Sequence, residues 1–165
     1  MDIAIAWDVT RAAGDWVIKD GDLALDSSLR SAVLVSLFTD RVAPETLSAQ
    51  DTAVGLSPAS GAAGGKAEDI RGWWADAWAD QPIGSRLWQL QRAIKSGQAS
   101  LPREIEAICY EALQWLVDDG VAQSVVVAAQ FSATNRQAIE FSVTVQEPGR
   151  NTPQVFLFSW AWEGL

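Results

Sequence analysis

Ser124-Val125-Val126-Val127-Ala128-Ala129-Gln130-Phe131 and Ile139-Glu140-Phe141-Ser142-Val143-Thr144-Val145-Gln146 both alternate with a period of two, and the fold is read outward from them. Val125, Val127, Ala129 and Phe131 share one face, as do Ile139, Phe141, Val143 and Val145, opposite Glu140, Ser142, Thr144 and Gln146. That alternation belongs to strands with one wet side. Thr134-Asn135-Arg136 supplies the turn between them. After Pro148-Gly149, Val155-Phe156-Leu157-Phe158-Ser159-Trp160-Ala161-Trp162 makes a third strand, apolar on both faces. Such a strand is expected to lie centrally in its sheet or to be covered, because a bare apolar edge aggregates.

Immediately upstream, Ile105, Ile108, Cys109, Ala112, Leu113, Leu116 and Val117 fall at i, i+3, i+4, i+7, i+8, i+11 and i+12. This predicts an amphipathic helix over about 102–119, with Pro102 in its first turn, Gly120 at its end, and Glu104, Glu106, Glu111 and Gln114 off the apolar stripe. At the other end of the chain, Ile3, Ile5 and Trp7 alternate with alanines, and Trp16-Val17-Ile18-Lys19 and Asp22-Leu23-Ala24-Leu25 flank Asp20-Gly21, a hairpin turn. A helix follows, capped by Ser27 or Ser28 and apolar nearly all round through Leu29, Ala32, Val33, Val35, Leu37 and Phe38. Residues 43–67 are Ala, Gly, Ser, Thr and Pro without periodicity, and are expected as a mobile surface loop. The expected fold is α+β in one domain, 1–165: a largely antiparallel sheet of N-terminal strands plus a C-terminal three-stranded meander, with helices packed on one face.

Composition narrows the function. The chain has 165 residues, 48% apolar, with a net charge of -9, 12 Lys plus Arg, no histidine and one cysteine, Cys109. The acidic balance argues against binding nucleic acid or an anionic membrane, and no run of 18 apolar residues or basic leader is visible. A soluble protein made in a cytoplasm is expected. With no His, no Cys pair and no nucleophile beside a base, neither catalysis, a metal nor a cofactor is expected. Asp76 with Asp80, or Glu111 with Asp118, could be drawn as glycosidase carboxylates, but solvation of their neighbours is the better reading. The glycines of 61–66 do not keep the spacing of a phosphate loop and follow no strand.

What remains is aromatic. Residues 69–92 carry Trp73, Trp74, Trp78 and Trp88 among Arg71, Arg86 and Arg92, with Gln81-Pro82-Ile83-Gly84 breaking the segment into a Trp-bearing turn, a corner and a short helix from about Ser85. Each Trp has a core reading, yet nine in a domain of this size exceed one core, so some are expected to anchor a neighbouring subunit. The arginines would stack on rings or fork onto carboxylates. Phe158, Trp160 and Trp162 are added as partner-binding candidates. A carbohydrate-binding module is the alternative use of exposed tryptophan.

The segment 69–92, taken with Ser36-Leu37-Phe38-Thr39-Asp40-Arg41, with residues 111–122, and with Ile3-Ala4-Ile5-Ala6-Trp7-Asp8 and Gly21-Asp22-Leu23-Ala24, closely resembles the baseplate wedge proteins of Mu-like contractile-tailed phages. That family is similar in turn to the sheath initiators of contractile injection systems. The resemblance implies a structural tail subunit, assembled in the host cytoplasm and present in several copies. Its implied partners are other wedge proteins, the tail sheath protein and the hub or tube proteins, joined in part by strand addition to a sheet edge. The Glu-Pro-Arg signature of the broader initiator family is absent after the long helix, where Asp118-Asp119-Gly120-Val121 stands, and the loop at 43–67 is longer than the family pattern.

Overall fold

The structure, a computed structural model, describes residues 2–8, 13–26, 29–53, 56, 71–79, 81–90, 98–135 and 138–161. Three antiparallel strands at the C-terminal end, β7 (Ser124–Phe131), β8 (Ala138–Gln146) and β9 (Gln154–Ala161), form a meander in the order β7-β8-β9. Its inner face carries Val125, Ile139, Phe141, Val143, Val145 and Phe158, all buried, as the period-two pattern requires.

Helix α3 (Leu101–Asp118) lies on that face. Leu101, Ile105, Ile108, Cys109, Leu113 and Leu116 are fully enclosed, and burying each such side chain contributes about 2 kcal/mol. Pro102 sits in the first turn, and Gly120, with φ +70°, ends the helix where the Gly120 amide donates to the Val117 carbonyl at 3.0 Å. Glu104 departs from the expected pattern: it is buried with the stripe.

Helix α1 (Arg30–Phe38) packs on α3 and on the N-terminal strands. Its N-cap is Leu29, with no side-chain cap, and Ser27 and Ser28 lie outside the described residues. Its nearly all-round burial includes two serines with definite tasks. Ser31 Oγ accepts the Ile5 amide at 3.2 Å, and Ser36 Oγ accepts the Trp115 indole N–H at 3.0 Å. Phe38 joins Phe141 and Phe158, its ring 5.4 Å from Phe158 edge to face.

The N-terminal strands pair with one another and not, among the described residues, with the meander. Ribbons β1 (Asp2–Ile3) with β6 (Leu25–Asp26), β2 (Ile5–Asp8) with β3 (Ala13–Trp16), and β4 (Ile18–Lys19) with β5 (Asp22–Leu23) are all antiparallel. They meet where Ala4, Val17 and Ala24 exchange backbone hydrogen bonds at 2.8–3.0 Å. The β4–β5 turn has positive φ at both Asp20 and Gly21, as a type I′ turn demands. The fold class is therefore the α+β expected, with its antiparallel strands in separate ladders rather than one sheet.

Residues 43–67 also differ from a plain loop where they are described. Helix α2 (Ala49–Ala53) lies within them, and Ala43 and Leu56 are buried, Leu56 as part of the core. The helix is started by a reciprocal cap: Ser48 Oγ accepts the Asp51 amide at 3.0 Å and Asp51 Oδ2 accepts the Ser48 amide at 2.9 Å. Residues 54–55 and 57–67, including the glycines weighed as a phosphate loop, lie outside the described residues.

One corner locks the aromatic segment to α1. The Ser85 amide donates to the Thr39 carbonyl at 2.9 Å, its hydroxyl to the Leu37 carbonyl at 2.5 Å, and the Arg41 amide to the Ser85 carbonyl at 3.0 Å. Gly84 has φ +95°, and a Cβ there would stand 2.3 Å from the Thr39 carbonyl oxygen. Gly84→Ala should therefore cost about 3 kcal/mol, lowering Tm by roughly 6–12 °C in a thermal melt. A shift under about 2 °C would show that this corner is not clamped.

Candidate docking surface

The aromatic segment folds as the punctuation predicts: a 3₁₀ turn (Trp74–Trp78), a corner through Gly84, and a second 3₁₀ turn (Leu87–Leu90). Asp76 is not the solvating charge expected of it. Its carboxylate accepts the Trp73 amide at 3.3 Å and the Ile83 amide at 3.0 Å, bracketing the first turn against the corner. Asp80 lies outside the described residues. The chain enters through Arg71 (φ +44°) and Gly72 (φ +101°), where Val42 leaves no space for a Cβ on Gly72. A non-glycine residue held at positive φ stores about 1 kcal/mol or more, and the surroundings hold it there.

The four tryptophans of this segment divide. Trp73, Trp74 and Trp78 are 46%, 75% and 78% exposed and touch one another, with ring centroids 5.7 Å apart for each successive pair. Trp88 is half-buried: its indole N–H donates to the Arg41 carbonyl at 2.9 Å, and the Arg71 guanidinium carbon stands 4.6 Å from its ring centre. Arg71 also pairs with Asp40 at 2.6 Å. Trp88 thus ties the segment to the chain around Arg41 and Arg71, and replacing it would disturb the fold.

Arg86 is held within the chain. Nη1 meets Asp51 Oδ1 at 2.9 Å, while Nε and Nη2 reach Glu111 Oε2 at 3.1 and 3.0 Å, and Arg41 reaches the other Glu111 oxygen at 3.5 Å. Burial pushes the Asp51 carboxyl up, but the Ser48 hydroxyl and amide and the Arg86 guanidinium outweigh it and bring the group from 3.8 down to about 2. A carboxyl depressed on folding contributes its stability in full above its unfolded value and loses it as the pH falls through the folded one. Asp51 should therefore contribute about 2 kcal/mol at neutral pH, lost between about pH 4 and pH 2. Thermal melts over that range should show the loss, with a shallower acid limb in Asp51→Asn; identical limbs would remove the pair from the stability account.

The C-terminal strand corrects two expectations. Of the two placements expected for it, central or covered, the first is not seen: among the described residues it is an edge strand, and Phe158 is core, wedged between Phe38 and Phe141. The exposed side chains of β9 are Val155 and Leu157, the latter 78% exposed. The side chain of Trp160, and Arg92 and Trp162 entirely, lie outside the described residues.

The ladder fixes which backbone groups face outward. The Ser132 amide donates to the Ala138 carbonyl at 3.0 Å, so residues 130, 128 and 126 are the bonded partners of β8 and residues 131, 129 and 127 point away. The Ala129 amide does point away, and Glu106 of α3 accepts it at 2.9 Å, stopping that edge. By the same alternation Phe156 and Phe158 bond to Val143 and Phe141, leaving the N–H and C=O of Val155, Leu157 and Ser159 directed off the sheet. Among the described residues no strand meets them. The N-terminal ribbons add Trp16, Ile18 and Leu25, also exposed, which sequence reading did not single out.

Among the described residues, the thiol and two of the carboxylates weighed for catalysis sit in structural contacts. Cys109 is enclosed, and burial, then the charge of Glu106, pushes its thiol up. Glu111 is held by Arg86 and Arg41, and Asp118 accepts the Gln114 side-chain amide at 2.9 Å. Among the described residues no three His, Cys, Asp or Glu side chains gather to hold a metal, and no helix is long and apolar enough to cross a membrane.

An α+β domain with an exposed aromatic turn and, among the described residues, an unpaired strand edge that is apolar through Val155 and Leu157 has the kind of surface on which other chains dock. The chain belongs to the phage protein GP46 family, whose model matches residues 29–152. It is 32% identical over 164 residues to the Mu-like prophage FluMu protein gp46 of Haemophilus influenzae, covering 97% of this chain and 98% of that one. It is 38% identical over 130 residues to the baseplate protein gp46 of Escherichia phage Mu, covering 78% and 77% respectively. These relationships support a structural role in a phage baseplate.

Proposed function

We propose that the chain is a wedge subunit of a contractile tail baseplate, joining other wedge proteins around the hub or tube and offering the first sheath subunit a strand to pair with. The observation that carries this reading is the outer edge of β9, eight residues long, with no proline, lysine or bulge, and apolar through Val155 and Leu157. Monomeric proteins blunt such an edge; a subunit keeps it for a neighbour. Several copies per baseplate, assembly in the host cytoplasm, a single folded domain and a non-enzymatic role belong to the same reading.

The experiment is a tail preparation from phage lacking this chain, with a copy supplied in trans. Tails without it should lack an attached sheath, and the supplied copy should co-sediment with wedge and sheath proteins. Normal sheathed tails without the chain would refute the reading. A carbohydrate-binding module would instead leave tail assembly intact.

A further inference from the structure

We propose that the face of the N-terminal ribbons carrying Trp16, Ile18, Leu23 and Leu25 receives a basic amphipathic helix of another protein. This face shares no residue with the β9 edge and stands independently of the baseplate reading.

The four side chains lie on one side. Ile18 and Leu23 are direct partners in the β4–β5 ladder, so they share a face. Trp16 stands two residues before Ile18 and Leu25 two residues after Leu23, which by alternation returns both to that face. Accessibility follows the same period. Trp16, Ile18, Leu23 and Leu25 are 66%, 74%, 38% and 60% exposed, while Val17 and Ala24 between them are partly covered. The Ala24 amide donates to the Val17 carbonyl at 2.8 Å and joins the two strands at that point. A monomer shows its exposed hydrophobes singly; four large ones on one face mark a place of contact.

Part of this face is already covered from within. Ile5 is the ladder partner of Trp16, hence on the same side, and it packs on the core. Helix α1 lies against that end, where Ser31 Oγ accepts the Ile5 amide at 3.2 Å. Beyond Ile5, among the described residues, the face is bare. Sheet faces are closed by helices, whereas added strands join at edges, so the occupant is a helix laying an apolar stripe over these four side chains.

Charge decides which helix. On these ribbons Asp15, Asp20 and Asp22 stand exposed against Lys19. Alternation puts Lys19 and Asp22 on the reverse side, but a ribbon is one layer thick and charges act across it, the Debye length being about 8–10 Å. The surplus of carboxylates attracts a helix whose polar stripe is basic. It repels a second copy of this chain, which would bring the same surplus and its own net charge of -9, and it repels an anionic membrane.

The test uses the full chain labelled with ¹⁵N, following its backbone amide signals while titrating two capped peptides. One is Leu-Lys-Lys-Leu-Leu-Lys-Leu-Leu-Lys-Lys-Leu-Leu-Lys-Leu; the other has glutamate at every lysine. The lysine peptide should shift the amides of Trp16, Ile18, Leu23 and Leu25 and bind about tenfold more tightly than the glutamate peptide. Ile18→Thr/Leu25→Thr should weaken it about tenfold. Both replaced side chains are exposed and threonine keeps the strand preference, so this variant retains its circular dichroism and melting temperature. Asp20→Asn/Asp22→Asn, which leaves an oxygen to accept the Leu23 amide, should weaken the lysine peptide about threefold. Shifts confined to other residues, equal affinity for the two peptides, or a threonine variant that binds like the wild type would each overturn the proposal. So would a free chain that sediments as a dimer until Ile18 and Leu25 are replaced, because the occupant would then be a second copy.

Discussion

Leu157→Pro should leave the chain folded and remove it from the assembled tail. The Leu157 amide is directed off the sheet, so proline there breaks no bond between β8 and β9, and edge strands tolerate it. Its cost to the isolated chain should be about 1 kcal/mol, a Tm loss of roughly 2–4 °C. For an arriving strand the change removes a donor and places a ring where the strand must lie, about 3 kcal/mol or roughly a hundredfold in affinity. Phe156→Pro is the control, because that amide faces Val143, and it should unfold the meander. Co-sedimentation with tails, beside a thermal melt, reads both. A Leu157→Pro chain that still enters tails at the wild-type level would show that β9 is not the docking edge.

Arg86→Ala should destabilise the chain by about 3 kcal/mol. It removes one guanidinium that serves α2 through Asp51 and α3 through Glu111, and leaves the buried Asp51 carboxylate without its cation. Tm should fall by roughly 6–12 °C, and proteolysis should begin near α2, which the pair ties down. Arg86→Lys should recover little, since a single ammonium does not reproduce a fork with two carboxylates. A melt within about 2 °C of wild type would mean that α2 is held by other contacts.

The parts of the fold legible in the sequence are those with a periodic signal or a turn with one chemistry. The stripe from Ile105 to Leu116 gives α3, Asp20-Gly21 gives a hairpin, and the alternation from Val125 to Val145 gives two strands in register. The corner at Gln81-Pro82-Ile83-Gly84 was equally open to reading. Less local facts were not. Whether β9 is central or an edge depends on what lies beyond it, and two apolar faces are compatible with both until Phe158 is seen under α1. Among the described residues, Val155 and Leu157 on the other face are exposed.

Arg86 illustrates the same limit. Beside Trp88 it reads as an interface arginine, but its carboxylates are 35 and 25 residues away in sequence and only folding brings them together. One cue did exist for α2: Ser48-Ala49-Gln50-Asp51 is a capping pattern inside a segment whose Ala/Gly composition suggests only loop. The candidate site was legible in part. Trp73, Trp74 and Trp78 stand exposed as a group, whereas Trp88, Arg86 and Phe158 serve the fold.

A density map of the intact baseplate, sharp enough to trace strands, tests the central claim most directly. The account predicts a strand from another chain bonded to the N–H and C=O of Leu157, extending the meander to four strands, with protein packed on Trp74 and Trp78. A baseplate in which β9 ends in solvent and those two indoles stay bare would contradict it.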